Sequence, residues 1–280
     1  MKSQVLKADN ILEILKLKNH HDKSAGFRAG GTEIGREGTD LSYQILIDLC
    51  GADLKFIHTT DTGVEIGACV TFREALAEES IPDYLRTALN YATSEELRQH
   101  ATIGGNIGVF RNDSYLLPVL IAAKARVVTY DMDEVGKLIE ESVPIREFVE
   151  HHDLYRYTLI TRICLDKPAR FAVSYRFVDE KTNLHLLSVG FGAEYQSELD
   201  MLTSSRIAIG TSGREMYRLD QTEQALDQGA VQTAEDLAAS VANEIAVITD
   251  EAGTAEKKRK LAAETVSEAF NRCLRAFSPN

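Results

Sequence analysis

The stretch Ala101-Thr102-Ile103-Gly104-Gly105-Asn106-Ile107-Gly108 constrains this chain more than any other. Two adjacent glycines between a β-branched residue and an asparagine allow a tight backbone loop, whose unpaired N–H groups can face an anion with no Cβ in the way. Such a loop suits phosphate. About seventy residues earlier, Ala29-Gly30-Gly31-Thr32-Glu33-Ile34 repeats the device beside a hydroxyl, so the chain carries two candidate anion loops. Two loops suit a pyrophosphate. Taken alone, each glycine pair is equally the mark of an ordinary turn or bulge.

Composition sets limits on what could bind there. A net charge of −12 argues against a nucleic-acid or anionic-membrane surface, because neutralising phosphates needs clustered Lys and Arg. The one tight basic run, Lys257-Lys258-Arg259-Lys260, opens an expected helix and reads as a solvated face. With 44% hydrophobic and 26% charged residues, the 280-residue chain has the makings of real cores in one to three domains. No N-terminal stretch has the order of a signal peptide, and nowhere are there the roughly eighteen consecutive apolar residues of a membrane span, so a cytoplasmic protein is expected.

Other chemistries are poorly served. Cys50, Cys69, Cys164 and Cys273 are spread singly, which suggests neither disulfides, a zinc site nor an iron–sulfur cluster. His20-His21-Asp22 recurs in kind as His151-His152-Asp153, but neighbouring side chains diverge and no further ligand has useful spacing, so no metal is expected. Gly30, Gly35, Arg36 and Glu37 come close to a Walker A spacing, yet Arg and Glu replace the required Lys and hydroxyl, and a carboxylate there would repel a phosphate. No G-x-G-x-x-G occurs, which leaves a Rossmann site unsupported.

Along the chain, Ile11 to Leu17 has a helical apolar stripe with Asn10 and Glu13 as N-cap and reciprocal partner. Strands are expected at Phe27 to Gly31 and Gln44 to Cys50, then a hairpin from Leu54 to Thr59 and Val64 to Thr71. Helices are expected at Phe72 to Glu79, Pro82 to Ala92 and Glu95 to Arg98, a buried helix start at Leu116 to Ile121, and a strand at Ala125 to Tyr130. Ile145 to Val149 and Tyr157 to Leu165 form a mixed segment rich in β-branched residues. Lys167-Pro168 marks a boundary, beyond which come three long strands (Arg170 to Val178, Leu184 to Tyr195, Leu202 to Gly210) and then helices at about Thr233 to Ile248 and Thr254 to Phe277.

Taken together, these segments resemble the FAD-binding subunit of molybdenum hydroxylases, the family of xanthine dehydrogenase and carbon monoxide dehydrogenase flavoproteins. The resemblance rests on Ala29 to Ile34, Ile66-Gly67-Ala68, Ala101 to Ile107, Leu116-Leu117-Pro118 and Leu159-Ile160-Thr161, in that order and spacing, and covers nearly the whole chain. Within the family the chain looks most like the short, separate flavin subunit associated with selenium-dependent xanthine-type hydroxylases, mainly through Gly104 to Pro118.

The resemblance implies an α+β chain: a vanillyl-alcohol-oxidase-type FAD-binding domain over 1–166, in subdomains of about 1–53 and 54–166. A C-terminal flavoprotein domain follows over 167–280, with a three-stranded antiparallel sheet and helices. It places the FAD pyrophosphate and ribityl chain on Phe27, Arg28, Ala29, Gly30, Gly31, Thr32, Glu33 and Ile34, and on Ala101, Thr102, Ile103, Gly104, Gly105 and Asn106. Ile160 falls where the family has an apolar residue close to the isoalloxazine, though it reads equally as a plain core residue. Before Leu-Leu-Pro the family has an Asp; here Tyr115 stands in that place, unless Asp113 reaches in. The family's basic residue on the first C-terminal strand aligns at Tyr175 or Arg176, and Arg176 is favoured because a cation near flavin N1 and the C2 carbonyl would stabilise the anionic reduced form.

The function so implied is an FAD-dependent oxidoreductase subunit that takes electrons from iron–sulfur clusters on a partner and passes them to NAD, in a complex with iron–sulfur and molybdopterin subunits. Two alternatives are a free-standing flavin oxidoreductase and an assembly scaffold that has lost flavin, the latter suggested by the departure at Arg111 to Tyr115.

Overall fold

The computed structural model describes residues 3–37, 43–92, 94–166, 171–198, 201–212 and 214–277. The chain divides into two compact units: the first takes residues 1–81, 92–110 and 125–166, the second residues 82–91, 111–124 and 167–280.

The first unit holds two sheets. A parallel three-stranded sheet is built from Gln4–Lys7, Ile45–Asp48 at its centre and Ala25–Arg28. Parallel strands need a crossover, and the Ile11–His21 helix supplies the one that joins the two outer strands, Gln4–Lys7 and Ala25–Arg28. Its N-terminus forms as the sequence suggests: the Asn10 side chain accepts the Glu13 N–H at 2.9 Å, while the Glu13 carboxylate reaches back to the Asp9 N–H at 2.9 Å, one residue further than in an ordinary capping box. Ile14 and Leu15 face inward and pack with Ala25, Ile47, Leu49, Leu54 and Leu159. The second sheet is five-stranded and antiparallel throughout, in the order Ile57–Thr59, Gly63–Gly67, Leu159–Asp166, Arg126–Met132, Leu138–Pro144. No sequence signal marks Gln4–Lys7 or Leu138–Pro144, since both are short of buried residues and show no clean alternation. Ile145–Glu150 folds as a helix in spite of its branched residues, with Pro144 opening it and Ile145 and Phe148 buried.

In the second unit a four-stranded antiparallel sheet runs Arg214–Arg218, Met201–Thr211, His185–Gln196, Phe171–Val178. The three expected strands are joined by a fourth, too short and polar to be seen in the sequence pattern. Alternation along His185–Gln196 assigns the two faces. Leu187, Val189 and Phe191 join the core under the helices Ala234–Glu244 and Ala255–Phe277, with Leu237, Val241, Val266, Ala269 and Phe270. Gly190 and Gly192 lie on the opposite face beneath the Leu117–Ala122 helix: a Cβ at Gly190 would stand 2.0 Å from the Pro118 carbonyl oxygen, and one at Gly192 2.3 Å from that of Ala122. Glycine is needed there for close approach of a helix to a strand. The expected boundary at Lys167-Pro168 lies outside the described residues.

Candidate functional site

The Ala25–Arg28 strand ends the parallel sheet and delivers the first glycine pair. Arg28 is held by Asp48 on the neighbouring strand, Nη1 to Oδ2 at 3.3 Å. The chain then turns at Gly31, whose φ of +70° belongs to the left-handed region that favours glycine, and enters the Thr32–Glu37 helix. Its first main-chain bond runs from the Gly35 N–H to the Gly31 carbonyl, at 3.0 Å. Ahead of that bond, the N–H groups of Gly30, Gly31, Thr32 and Ile34 have no hydrogen-bond partner among the described residues. Four donors around one turn, at the positive end of a helix, form a cradle for a charged phosphate.

The second glycine pair differs from expectation. Instead of an open loop, Ile103–Gly108 is a short helix whose first turn contains both glycines, with Thr102 as its N-cap. All of its early donors are committed: Ile103 N–H to the Val70 carbonyl (3.0 Å), Gly104 N–H to that of Ala68 (2.9 Å), Gly105 N–H to the Thr102 hydroxyl oxygen (3.0 Å) and Asn106 N–H to the Thr102 carbonyl (2.9 Å). Gly104 is glycine because of packing, for a Cβ there would lie 2.5 Å from the Ala68 Cβ. The expectation that backbone donors of Ile103 to Asn106 meet a phosphate is therefore corrected. A Thr-x-x-Gly cap that folds back on itself satisfies its own N–H groups.

The two segments meet nonetheless. A Cβ on Gly30 would sit 1.6 Å from the carbonyl oxygen of His100, the residue that precedes Ala101, so the first loop rests directly on the main chain leading to the second. Ala101 accepts the Phe72 N–H at 2.9 Å, and Thr102 bridges to Thr71. Phe27, Arg28 and Ala29 thus lead into the donor-bearing turn at Gly30, Gly31, Thr32 and Ile34, and that turn meets the second segment where Gly30 touches His100. Ile160 is buried, and its Cδ1 lies 3.4 Å from where a Gly108 Cβ would be, at the far end of the same short helix. Ala68 falls in the Ile66-Gly67-Ala68 motif, where the sequence assigns it no role, and no signal marks Val70 or His100, because all three act through main-chain atoms that any residue supplies.

Asp113, Tyr115 and Arg176 belong to the second unit, and there each has a partner. Arg111 binds both oxygens of Asp113, Nε to Oδ1 at 2.7 Å and Nη2 to Oδ2. Burial pushes the Asp113 carboxyl up, but Arg111 outweighs it and holds the group below its ordinary value. Arg176 stacks on Tyr115, Cζ 4.9 Å from the ring centre, and donates from Nη1 to the Tyr91 carbonyl at 2.9 Å. Tyr91 meets Tyr115 edge-on at 6.2 Å and donates its hydroxyl to the Ser174 carbonyl at 2.7 Å. Burial raises the Tyr115 phenol, with Arg176 pulling the other way, so Tyr115 is neutral. The residue standing where the family has an acid is therefore an uncharged ring that seats a cation.

A left-handed glycine turn with unpartnered N–H groups at the end of a parallel strand is the kind of backbone loop that can receive an anion. Residues 1–168 match the family described as FAD binding domain in molybdopterin dehydrogenase, and the chain belongs to that family. Its fold is shared with a carbon monoxide dehydrogenase chain from Hydrogenophaga pseudoflava: TM-score 0.84 over 99% of each chain, at 18% identity. The uncharacterized protein YgfM of Escherichia coli (strain K12) is 25% identical over 277 residues, 99% of this chain and 98% of its own. The xanthine dehydrogenase of Dictyostelium discoideum is 30% identical over 156 residues, which are 49% of this chain and 11% of that protein. The cradle at Gly30 to Ile34 fits the pyrophosphate of FAD, since unpartnered N–H groups suit an anion in a chain of net charge −12. Among the described residues no helix is long and apolar enough to cross a membrane.

Proposed function

We propose that this chain is the flavin subunit of a molybdenum-containing hydroxylase of the xanthine dehydrogenase type, taking electrons from iron–sulfur clusters on a partner and passing them to NAD. The observation that carries the reading is the donor cradle at Gly30, Gly31, Thr32 and Ile34, buttressed by His100 and by the capped helix after Thr102. In this reading those N–H groups hold the pyrophosphate, and Ile160 with Gly108 offers an apolar surface to the flavin ring. FAD, when bound, supplies a carrier that handles electrons singly or in pairs. The protein supplies position and polarity, and needs no acid–base pair of its own.

Dependence on partners is supported by the thiols. Cys50 is exposed, Cys164 half-buried, and Cys69 and Cys273 buried, with burial pushing each of the last two up to about 12. Thiols so disfavoured as thiolates, where the described residues bring together no group of three or more His, Cys, Asp or Glu able to hold a metal ion, are poor candidates for cluster ligands. In this reading clusters and molybdopterin belong to other subunits, and the hydroxylated substrate is bound there. The test is enzymatic. FAD-loaded protein should oxidise NADH with an artificial dye and leave xanthine and other purines untouched. Purine-dependent NAD reduction by the single chain would overturn the assignment, and absence of NADH–dye activity in flavin-loaded protein would contradict NAD as the acceptor.

A further inference from the structure

Phe110 has a φ of +48°, a left-handed backbone in which a bulky L-residue is a genuine outlier. Such a conformation persists only where its surroundings over-determine it. Here the surroundings are an aromatic stack within the first unit. Phe110 lies on Phe148 with ring centres 5.0 Å apart and planes 22° apart, and leans on His152 at 5.5 Å. Phe148 is fully buried and stacks in turn on Tyr155 at 5.0 Å. Phe110 also closes the chain behind it, donating its N–H to the Ile107 carbonyl at 3.1 Å.

The helix it closes is Ile103–Gly108, and the Cβ position of its last glycine lies 3.4 Å from the Ile160 Cδ1. The strained turn therefore clamps the exit of that helix to the Phe148 and Tyr155 rings. From this geometry we infer that Phe110 is a positioning residue for the cofactor: its ring holds Gly108 against Ile160 and so sets the surface on which the flavin ring rests. The inference rests on the functional reading above. A glycine at 110 would relax the backbone but lose the stack, and the sequence keeps the costly residue. The stack, not the turn alone, is what matters.

The experiment titrates the full chain with FAD and records the visible spectrum at saturation, for the parent and for Phe110→Tyr, Phe110→Ala and Phe110→Gly. Loss of one aromatic pair corresponds to a weakening of about three- to tenfold, so Ala and Gly should bind FAD that much less tightly. Both should also shift the flavin bands at saturation, which general destabilisation would not do. Phe110→Tyr should behave as the parent. If Phe110→Ala fails to fold, Phe110→Gly, freed of backbone strain, still decides. A parent that takes FAD while Phe110→Gly matches it in affinity and spectrum overturns this inference alone. A parent that takes no FAD overturns the functional reading and this inference with it.

Discussion

A Cβ on Gly30 would stand 1.6 Å from the carbonyl oxygen of His100, so the loop at Gly30 and the main chain that supports it are in backbone contact. No side chain fits between them. Gly30→Ala should therefore cost more than about 3 kcal/mol, because the obstacle is a main-chain atom that cannot rotate away. Gly31 differs: its notional Cβ has only the Arg28 Nε near it, at 3.5 Å, and its demand is the φ of +70°. Gly31→Asn should fold with a loss below about 1 kcal/mol, and Gly31→Val with a loss of about 1–2 kcal/mol. Urea unfolding of the three variants checks this order, and a Gly30→Ala protein as stable as Gly31→Asn would contradict it.

Gly104 presents its Cβ position to Ala68. Gly104→Ala should unfold the first unit in place of yielding a folded, colourless protein, since its Cβ would meet the Ala68 Cβ at 2.5 Å and the Ala68 Cα at 2.9 Å. Adding Ala68→Gly should recover part of the loss, and the two changes should couple by about 1–2 kcal/mol in a double-mutant cycle. Additive effects would show that the two residues do not share the space.

Asp113 serves Arg111. Asp113→Ala should reduce stability by about 1–2 kcal/mol, because it strips a half-buried guanidinium of a two-pronged partner. The flavin bands of loaded protein should stay as they were. A shift in those bands would instead give Asp113 the role of the acid that Tyr115 has displaced.

His185 makes the second unit acid-sensitive. Burial pushes its pKa down to about 4 from 6.5, with the Gly210 carbonyl and Asp113 pulling up and Arg176 and Lys258 pushing down. The unfolded chain takes a proton near 6.5 and the native one only near 4, so this contribution is complete above pH 6.5 and drains away as pH falls towards 4. It amounts to on the order of 3 kcal/mol. His185→Gln should flatten the fall in urea midpoint between pH 7 and pH 5; an unchanged slope would place the acid sensitivity elsewhere.

Where the fold depends on side-chain periodicity or caps, the sequence is readable. Asn10 and Glu13, the stripe from Ile11, and the alternation of Leu187, Val189 and Phe191 against Gly190 and Gly192 all lead to the elements found. The same glycine signature, however, describes two different things. At Gly31 it marks a left-handed turn with free donors; at Gly104 it marks a helix packed tightly on Ala68. Spacing alone cannot separate them, because the difference lies in which carbonyls lie nearby, Val70 and Ala68, some thirty residues distant in sequence. For the same reason the strain at Phe110 is invisible until Phe148 and Tyr155 are placed beside it.

The central claim, that the Gly30 to Ile34 cradle holds FAD, is tested most directly by the absorbance spectrum of the purified chain after incubation with FAD and removal of the excess. Flavin bands at about one FAD per chain are expected, and their loss in Gly31→Val at an FAD concentration that saturates the parent. A folded parent that retains no flavin, or a Gly31→Val protein that retains as much as the parent, would contradict it.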